Sequence, residues 1–442
     1  MKEVFPVRGF NPCESLLRHT PEQLRTFIRR MKTLDFNSII IHYDYGWKRY
    51  RELILEECRN AGVEITLMTF GPRTFYRYTD WKKEFFSRKE DGSFFTEKLE
   101  CETFPCRFAP GALEAFEEGA GAWLAELPPE IRRIHMRAAD GRDFCRCPRC
   151  RVMPQQERWT PFIERFAKAV QEKRPDLAFE TDIYIHRYDL PENLAAFSGM
   201  ERLMFDTFPR TAAFPLGSTC DLDTRGFMQK YYGSQNDPFE LTANDAMLQR
   251  LKSWNTAFPG KMYIHENVMR QGLCSNFQKG STESYLEDLK IYRELGLPGV
   301  CFEAFEPGYG AFAALFELLA KAMKGEEVEP VELPVEDPVF LKSQQFYQKR
   351  QNSSSLEFFR DYVEFALEHE GKLDALYIGV NQAKNHLKNG KIKFRNLSPE
   401  AVKMVESRKL WDFMEDIPDT EDPRLVCRTL LKELLQKSYE NQ

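Results

Sequence analysis

Residues able to carry acid–base chemistry recur where the apolar runs of this sequence end. The carboxylates at or near these positions are Asp44, Asp140, Asp143, Asp182, Asp206, Glu266, Glu303 and Glu306. Two carboxyl groups facing one substrate can divide the work, because one gives a proton while the other attacks carbon or activates water. Any single carboxylate is more often paired with an arginine. A whole ring of buried, unpaired carboxylates would be costly, and this favours a functional ring.

Histidines and arginines accompany the carboxylates. Four of the seven histidines stand at or near the same positions: His42, His135, His186 and His265. A lone histidine is usually structural, whereas four at one edge fit binding of substrate hydroxyls or of a metal. The sequence has no His-Glu-x-x-His motif, so a catalytic metal is not favoured. The nearby arginines, which would grip acidic groups of a sugar or else neutralise the ring, are Arg8, Arg73, Arg137, Arg187, Arg210 and Arg270.

The sharpest local motif is Cys145-Arg146-Cys147-Pro148-Arg149-Cys150. Cys-x-Cys-x-x-Cys puts three thiolates in one tight loop, which suits three corners of a tetrahedral zinc site. Cys106 is the predicted fourth ligand, with Cys101 as substitute, because neighbouring loops can meet. Such a site would be structural, since four thiolates leave no open position. The alternative is a set of reduced thiols or a local disulfide.

The elements that would position these residues alternate between apolar strands and amphipathic helices. The eight predicted strands are Val4–Phe10, Ser38–His42, Val63–Phe70, Ile131–Ala138, Leu177–His186, Arg202–Phe208, Lys261–Glu266 and Gly299–Phe305. Eight strand–helix units in succession predict an α/β fold, a closed parallel (β/α)8 TIM barrel. A doubly wound open sheet is the runner-up, and the lack of a Gly-rich fingerprint after the first strand weakens it. Nor does the sequence indicate an organic cofactor.

Two domains are predicted, a barrel over residues 1–327 and a mainly helical C-terminal domain over 339–442. The segment between them, Val328–Pro338, is rich in Pro and Glu and is typical of a linker. Nothing in the helical part resembles a catalytic motif. Its apolar helix faces could pack on the barrel or pair two chains in a homo-oligomer.

Composition narrows the class of protein. A net charge of −6 gives no basic field for nucleic acid, and no apolar run is long enough to span a membrane. The first eight residues do not have the pattern of a signal peptide, which predicts a cytoplasmic protein. With clustered cysteines and no secretion signal, metal binding or reduced thiols are favoured over disulfides.

A carboxylate ring at a barrel mouth supplies what glycoside hydrolysis requires. We predict an O-glycoside hydrolase for small oligosaccharides, acidic ones included. Asp140 is the predicted acid/base, Glu266 the second carboxylate and Glu303 its main substitute. The residues predicted to bind the sugar are His42, Asp44, Trp47, His135, Arg137, Asp143, His186, Asp206 and His265. The aromatic residues able to stack on sugar rings are Tyr43, Tyr45, Trp47, Phe208, Phe305 and Tyr309.

Parts of this sequence resemble known families. The stretch from Phe104-Pro105-Cys106 through Asp140-Gly141 to the cysteine motif, with Leu295–Val300, resembles the bacterial carbohydrate-associated domain of unknown function 4838. The resemblance covers about half of the barrel and implies a glycoside-hydrolase-like fold. The cysteines are also similar to the zinc loop of family 42 β-galactosidases. That resemblance implies that Cys106 and the motif bind zinc, with Asp140 near the acid/base position and Glu266 near the nucleophile. The Asn-Glu pair of that family is Ala139-Asp140 here, so a barrel of the N-acetylhexosaminidase or α-glucuronidase kind stays open.

Two other functions fit the same pattern. A metal-dependent sugar isomerase or lyase would hold a divalent ion with carboxylates and histidines at the barrel mouth. A carbohydrate-binding barrel without catalysis would bind sugars and not turn them over.

Overall fold

The computed structural model describes residues 5–12, 16–17, 19–100, 103–139, 144–184, 188–207, 214–218, 244–269, 282–304, 313–331, 355–369, 397–407 and 410–440, with isolated helical residues at 342, 346, 376, 379–380, 383–384 and 387. At 267–269 and 304 it describes the backbone alone. In this part of the chain, no helix combines the length and apolar character needed to cross a membrane.

Eight parallel strands close into a barrel in sequence order, and β8 pairs with β1. The strands are β1 Val7–Asn11, β2 Ser38–His42, β3 Glu64–Phe70, β4 Arg133–Arg137, β5 Ala178–Ile183, β6 Arg202–Asp206, β7 Met262–Met269 and β8 Gly299–Ala304. The predicted (β/α)8 barrel is thus confirmed. Several predicted strands extend beyond the observed ones, because an apolar run continues into buried loop residues such as Ala138.

Helices follow the strands in sequence, and a further group of helices comes after the last strand–helix unit of the barrel. The helices are α1 Pro21–Thr33, α2 Lys48–Ala61, α3 Gly71–Tyr76, α4 Ala112–Ala125, α5 Gln155–Lys173, α6 Asn244–Ala257, α7 Glu283–Glu294, α8 Ala313–Met323, α9 Leu356–Glu368, α10 Pro399–Glu406, α11 Leu410–Glu415 and α12 Pro423–Glu440. Helix α3 lies where the sequence predicts a loop. Its six residues are all buried, and Pro72 stands in its first turn, where proline is tolerated.

Local signals explain where helices begin and end. Thr20 accepts a hydrogen bond from the Gln23 amide, and the Gln23 side chain accepts one from the Thr20 amide, which forms a capping box before α1. Gly62 ends α2 with a φ of 67°, a left-handed conformation that favours glycine. Threonine before a helix and glycine after one are signals that the sequence carries locally, and the structure follows both.

The barrel interior is packed, with an apolar layer below the mouth. Ile40, Met68, Met204, Tyr263 and Cys301 form one buried cluster from five strands. Residues two positions further along each strand point into the same space, since side chains alternate between the two faces of a strand. Polar residues at those next positions therefore converge at the carboxyl ends of the strands.

Helix α4 approaches α3 so closely that Gly119 has no room for a side chain. A Cβ added there would lie 2.0 Å from the carbonyl oxygen of Phe75. We expect Gly119→Ala to destabilise the protein by about 1–3 kcal/mol, because backbone must move to accept it. Gly121 in the same helix would meet only the flexible side chain of Lys173, at 3.4 Å. Gly121→Ala should therefore be neutral or stabilising, by up to about 1 kcal/mol.

Urea unfolding of the two alanine variants against wild type measures this difference. Equal stability of the two variants would contradict the tight α3–α4 contact.

The C-terminal helices α9–α12 share a second core that includes three residues of the barrel, Leu17, Tyr45 and Phe70, the last of which ends β3. This confirms the helical C-terminal extension and shows that it packs at the carboxyl end of the barrel near β1–β3. The exact division at residues 327 and 339 stays a prediction, since 332–341 lie outside the described residues.

Candidate active site at the barrel mouth

Three carboxylates and two cationic or polar groups meet inside the carboxyl end of the barrel. Asp182, Asp206 and Glu303 come from β5, β6 and β8, and all three are buried. Arg137 from β4 and His265 from β7 lie among them. Four of the five lie at or next to the end of their strand, whereas His265 lies within β7, opposite Asp206 of β6. The closed sheet brings these positions together.

Arg137 neutralises two of these carboxylates. Its Nε lies 2.7 Å from Asp182 Oδ2, and a terminal nitrogen lies 3.3 Å from Asp206 Oδ2. Its guanidinium also lies over the ring of Tyr184, 4.5 Å from the centroid. The sequence left open that arginines near the strand ends neutralise the charge of the carboxylates. The contacts of Arg137 are of that kind.

His265 connects the remaining groups. Its Nδ1 lies 3.0 Å from Asp206 Oδ2, while its Nε2 lies 2.9 Å from Asn11 Nδ2 and 3.5 Å from Glu303 Oε2. A carboxylate at Nδ1 favours the proton on that nitrogen, which leaves Nε2 to face Asn11 and Glu303. One imidazole therefore separates Asp206 from Glu303.

Glu266 faces the opposite way. Its carboxylate accepts a 2.8 Å hydrogen bond from Thr207 Oγ1 and another from the hydroxyl of Tyr292, which belongs to α7. Neighbours in a strand point to opposite faces, and His265 occupies the inner one. The structure thus directs Glu266 to the outer helices rather than toward Asp206 and Glu303. The predicted pairing of Asp140 with Glu266 has no support from this orientation.

His135 lies one layer deeper than Arg137. Its Nδ1 is 3.1 Å from Glu180 Oε1, which also accepts a 2.6 Å hydrogen bond from Tyr263. Burial would raise the pKa of Glu180, but the hydrogen bond and charge of His135, with Arg133 and Tyr263, lower the pKa below its usual value. Sequence reasoning missed Glu180 and Tyr263, although both lie on the inner face by strand alternation.

The β2 loop residues anchor the mouth. Asp44 accepts hydrogen bonds from Thr74 Oγ1 at 2.7 Å and from the Phe70 amide at 3.0 Å. Trp47 is buried in the main core, and His42 stacks on Tyr45 with ring centroids 6.0 Å apart. Asp44 and Trp47 therefore hold this loop to its surroundings, and their predicted contact with sugar stays a prediction.

Several predicted site residues lie outside the described residues. Among them are Asp140, Asp143, His186, Arg187, Arg210, Arg270, Glu306, Phe208, Phe305 and Tyr309. Of the other predicted arginines, Arg8 donates to the carbonyls of Phe5 and Asp35 at the start of the barrel.

The C-terminal helices contact the mouth through polar groups that sequence reasoning missed. Arg73 lies 2.9 Å from Asp412 Oδ1 and 4.0 Å from Asp44 Oδ1. Glu415 accepts a 2.8 Å hydrogen bond from the Gly46 amide. Arg49 donates to consecutive C-terminal carbonyls, those of Ile417, Pro418, Asp419 and Glu421.

Glu415 makes the contact between the C-terminal helices and the barrel mouth sensitive to pH. Burial raises the pKa of Glu415 from 4.5 to about 7, against the lowering effects of the Gly46 amide and Arg73. Its stabilising contribution is therefore complete below pH ~4.5 and is lost as the pH rises through ~7. We expect Glu415→Gln to gain stability over wild type by about 3 kcal/mol between pH 5 and pH 8.

Urea unfolding at pH 5, 6, 7 and 8 measures this difference. Glu406→Gln, at an exposed position, is the control and should track wild type at every pH. A constant gap between Glu415→Gln and wild type across the series would contradict the expectation.

The four cysteines singled out by the sequence do come together. The sulfur atoms of Cys106, Cys145, Cys147 and Cys150 all lie within 4.8 Å of one another. Cys106 Sγ is 3.9 Å from Cys147 Sγ and 3.7 Å from Cys150 Sγ. Sulfurs ~2.3 Å from a tetrahedral zinc would have about these separations, so the residues fit the ion.

Hydrogen bonds within the cluster favour thiolate at Cys145, whereas the hydrogen bond with Cys145 raises the pKa of Cys106, and hydrogen bonds with Cys106 and Cys145 raise the pKa of Cys150. Cys145 accepts a hydrogen bond from the Arg88 amide at 3.4 Å. Hydrogen bonds from Cys106, then Cys150 and backbone amides lower the pKa of Cys145. The alternative ligand Cys101 lies outside the described residues.

No protein-family model matches this chain, and no curated protein matches it in sequence. The resemblance to the domain of unknown function 4838 thus stays a prediction. Similar solved structures include glycoside hydrolases. A β-galactosidase from Rahnella sp. R3 has 12% identity and a TM-score of 0.48, over 73% of this chain and 57% of that one.

Two further structures are of the same kind. For a β-galactosidase from the psychrophilic Marinomonas ef1 the identity is 8% and the TM-score 0.45, over 66% of this chain and 53% of that one. An endo-1,4-beta-mannanase from Rhizomucor miehei has 9% identity and a TM-score of 0.38, over 67% of this chain and 85% of that one. This chain therefore spans little more than half of each β-galactosidase. Likenesses this weak carry no weight for function, and the barrel is established by its own strand pairing.

Proposed function

We propose that this protein is an O-glycoside hydrolase that acts on small oligosaccharides through paired carboxylates. The observation that carries the proposal is the inward group of Glu303, His265 and Asp206 at the carboxyl end of a closed barrel. Active sites of such barrels lie at this end. Paired carboxylates at one mouth are the groups that glycoside hydrolysis uses.

Glu303 is the proposed carboxylate that attacks the anomeric carbon or activates water. Asp206 is held by both Arg137 and His265, whereas the contact of Glu303 with His265 is longer, at 3.5 Å. Asp206 is thus already engaged by the Arg137 cation, and Glu303 is proposed for the reaction. Asp140 keeps its proposed role as acid/base on the strength of the sequence resemblance. Glu303 replaces Glu266 as its partner, because the Glu266 side chain contacts Thr207 and Tyr292 on the helix side.

His265 and Arg137 are proposed to hold the site rather than to react. The imidazole lies between Asp206 and Glu303, and the guanidinium pairs with the carboxylates of Asp182 and Asp206. Sugar binding by His42, Asp143 and His186 is part of the proposal and rests on their sequence positions.

Turnover by the wild-type protein of a panel of aryl α- and β-glycosides, uronides included, tests the proposal. Release of an aglycone that a chelator does not abolish supports a hydrolase. Activity on free sugars that is lost with a chelator and restored by Mn²⁺ or Mg²⁺ would favour the isomerase or lyase instead. Sugar binding in calorimetry without turnover of aryl glycosides or natural oligosaccharides would overturn the enzyme proposal.

We also propose that the four cysteines hold a structural zinc ion. The ion would join the β3–α4 connection, which carries Cys106, to the β4–α5 connection, which carries the motif. Zinc held by four thiolates supplies folding energy and leaves no position for substrate.

We expect Cys147→Ala to lose zinc and several kcal/mol of stability, because three thiolates do not complete the site. Cys58, a buried free cysteine in α2, lies apart from the cluster. Cys58→Ala should keep a full equivalent of zinc. Metal analysis of the purified proteins, with thermal unfolding, measures both. Equal zinc content in the two variants, or none in wild type purified with zinc, would contradict the site.

A further inference from the structure

The cysteine lobe, defined as residues 81–100, 103–110 and 144–154, carries a repeated pairing of cations with phenyl rings. Three half-buried phenylalanines, Phe94, Phe95 and Phe108, each have two cations over or beside the ring. Lys83 and Arg88 flank Phe94, Lys89 and Arg146 flank Phe95, and Arg107 and Arg149 flank Phe108. The closest contact is Arg149, 3.8 Å from the Phe108 centroid.

Four of these six cations have no carboxylate partner among the described residues. Lys83 pairs with Glu97 at 3.2 Å, and Arg146 lies 3.8 Å from Glu90. Arg88, Lys89, Arg107 and Arg149 make no such pair in that part of the chain, although the protein as a whole has a net charge of −6. Within its bounds the lobe has nine Lys or Arg residues against five Asp or Glu, which is a local excess of positive side chains on an acidic protein.

The lobe lies on the same end of the barrel as the candidate active site. Its two segments are the connections that follow β3 and β4, and β4 carries Arg137. A chain that enters the mouth from this side would pass the lobe. The half-exposed indole of Trp81, stacked on Phe86 at 5.3 Å, adds an apolar ring of the kind that packs on a sugar face.

We propose that the cysteine lobe binds a uronate-bearing oligosaccharide and guides it to the barrel mouth. The proposal rests on the proposed glycosidase function and names its substrate class. Guanidinium groups bind carboxylates in a bidentate way, and a guanidinium stacked on a phenyl ring is held with its N–H edge outward. Nucleic acid fits less well, because the cations already cover the ring faces on which bases would stack.

The sequence indicated an acidic sugar from arginines near the strand ends, but the proposed binding surface consists of other arginines. Arg8, Arg73 and Arg137 are engaged with carbonyls or carboxylates inside the protein. The cations without a carboxylate partner among the described residues lie in the lobe instead, where Arg107 also donates to the carbonyl of Glu157. This could be found only once side-chain contacts were known.

Calorimetric binding of a short oligogalacturonate tests the proposal. It is measured in a Glu303→Gln background, so that turnover cannot consume the probe. Adding Arg88→Gln and Arg149→Gln together should weaken binding about tenfold or more. Adding Arg51→Gln and Arg132→Gln, two exposed arginines outside the lobe, makes the same charge change and should leave affinity unchanged. Zinc content is compared in all proteins to show that the lobe stays folded.

Equal weakening by the two double variants, or no binding of oligogalacturonate, would overturn the proposal. So would tighter binding of a sulfated galactan oligosaccharide, which carries no uronate, of neutral cello-oligosaccharide or of single-stranded DNA. The binding readout is independent of turnover. Turnover of neutral glycosides without uronate binding would therefore contradict the binding proposal alone. Uronate binding that depends on the lobe, with no hydrolysis of any glycoside, would contradict the proposed hydrolase function.

Discussion

Replacing Glu303 by glutamine is expected to lower kcat/KM for the best aryl glycoside by about a thousandfold or more. The substitution keeps the size of the side chain and removes the charge or proton that the reaction needs. Glu266→Gln is the matched control, since it makes the same change on the next strand, in a side chain that contacts Thr207 and Tyr292.

We expect Glu266→Gln to change kcat/KM by less than about tenfold. Steady-state rates with both variants, at equal folded fraction by circular dichroism, measure the contrast. A large loss in Glu266→Gln with a small one in Glu303→Gln would reverse the assignment and restore the pairing predicted from sequence.

The second large effect concerns stability. Arg137→Met leaves Asp182 and Asp206 buried in the barrel without their cation. Removing one partner of a buried ion pair typically destabilises a protein by about 3–5 kcal/mol, because the remaining charge stays desolvated. We expect a loss of that size in the free energy of unfolding, measured by urea titration near pH 7.

Two further variants test whether the loss of stability in Arg137→Met comes from its buried ion pairs. Arg132→Met breaks an exposed pair with Asp176 and should lose less than about 1 kcal/mol. Adding Asp182→Asn to Arg137→Met should recover part of the loss, since one of the two unpaired charges is then removed. Additive losses in that double variant would show that Arg137 does not neutralise Asp182.

Much of the fold could be predicted from local signals. The eight apolar runs, the cap at Thr20 and the glycine at the end of α2 each depend on residues close in sequence, and the structure follows them. The cysteine cluster was also predictable, because three of its ligands lie within six residues. Cys106 required only the assumption that neighbouring loops meet.

At the carboxyl end of the barrel, the sequence predicted which strands carry the candidate residues but not which side chains face the interior. The sequence identified both His265 and Glu266 at the end of β7, but adjacent residues cannot both face the interior. Choosing between them requires the register of β7 against β6 and β8, where His265 pairs with Asp206 and Cys301. Asn11 was missed because an amide carries no chemical signal in sequence.

Contacts between distant parts of the chain were beyond sequence reasoning. Glu415 binds the Gly46 amide and Asp412 binds Arg73, and each joins residues more than three hundred positions apart. In sequence the two acidic residues belong to an ordinary amphipathic helix. Their placement at the barrel mouth depends on how α11 packs on Tyr45 and Phe70.

Chemical rescue tests the central claim most directly, that Glu303 acts at the anomeric carbon of a glycoside. Glu303→Gly is incubated with the best activated aryl glycoside and sodium azide, and the products are identified by NMR and mass spectrometry. We predict that azide restores aglycone release and that a glycosyl azide forms, because azide attacks the anomeric carbon as the aryl oxide leaves. Glycosyl azide from Glu266→Gly and none from Glu303→Gly would contradict the account.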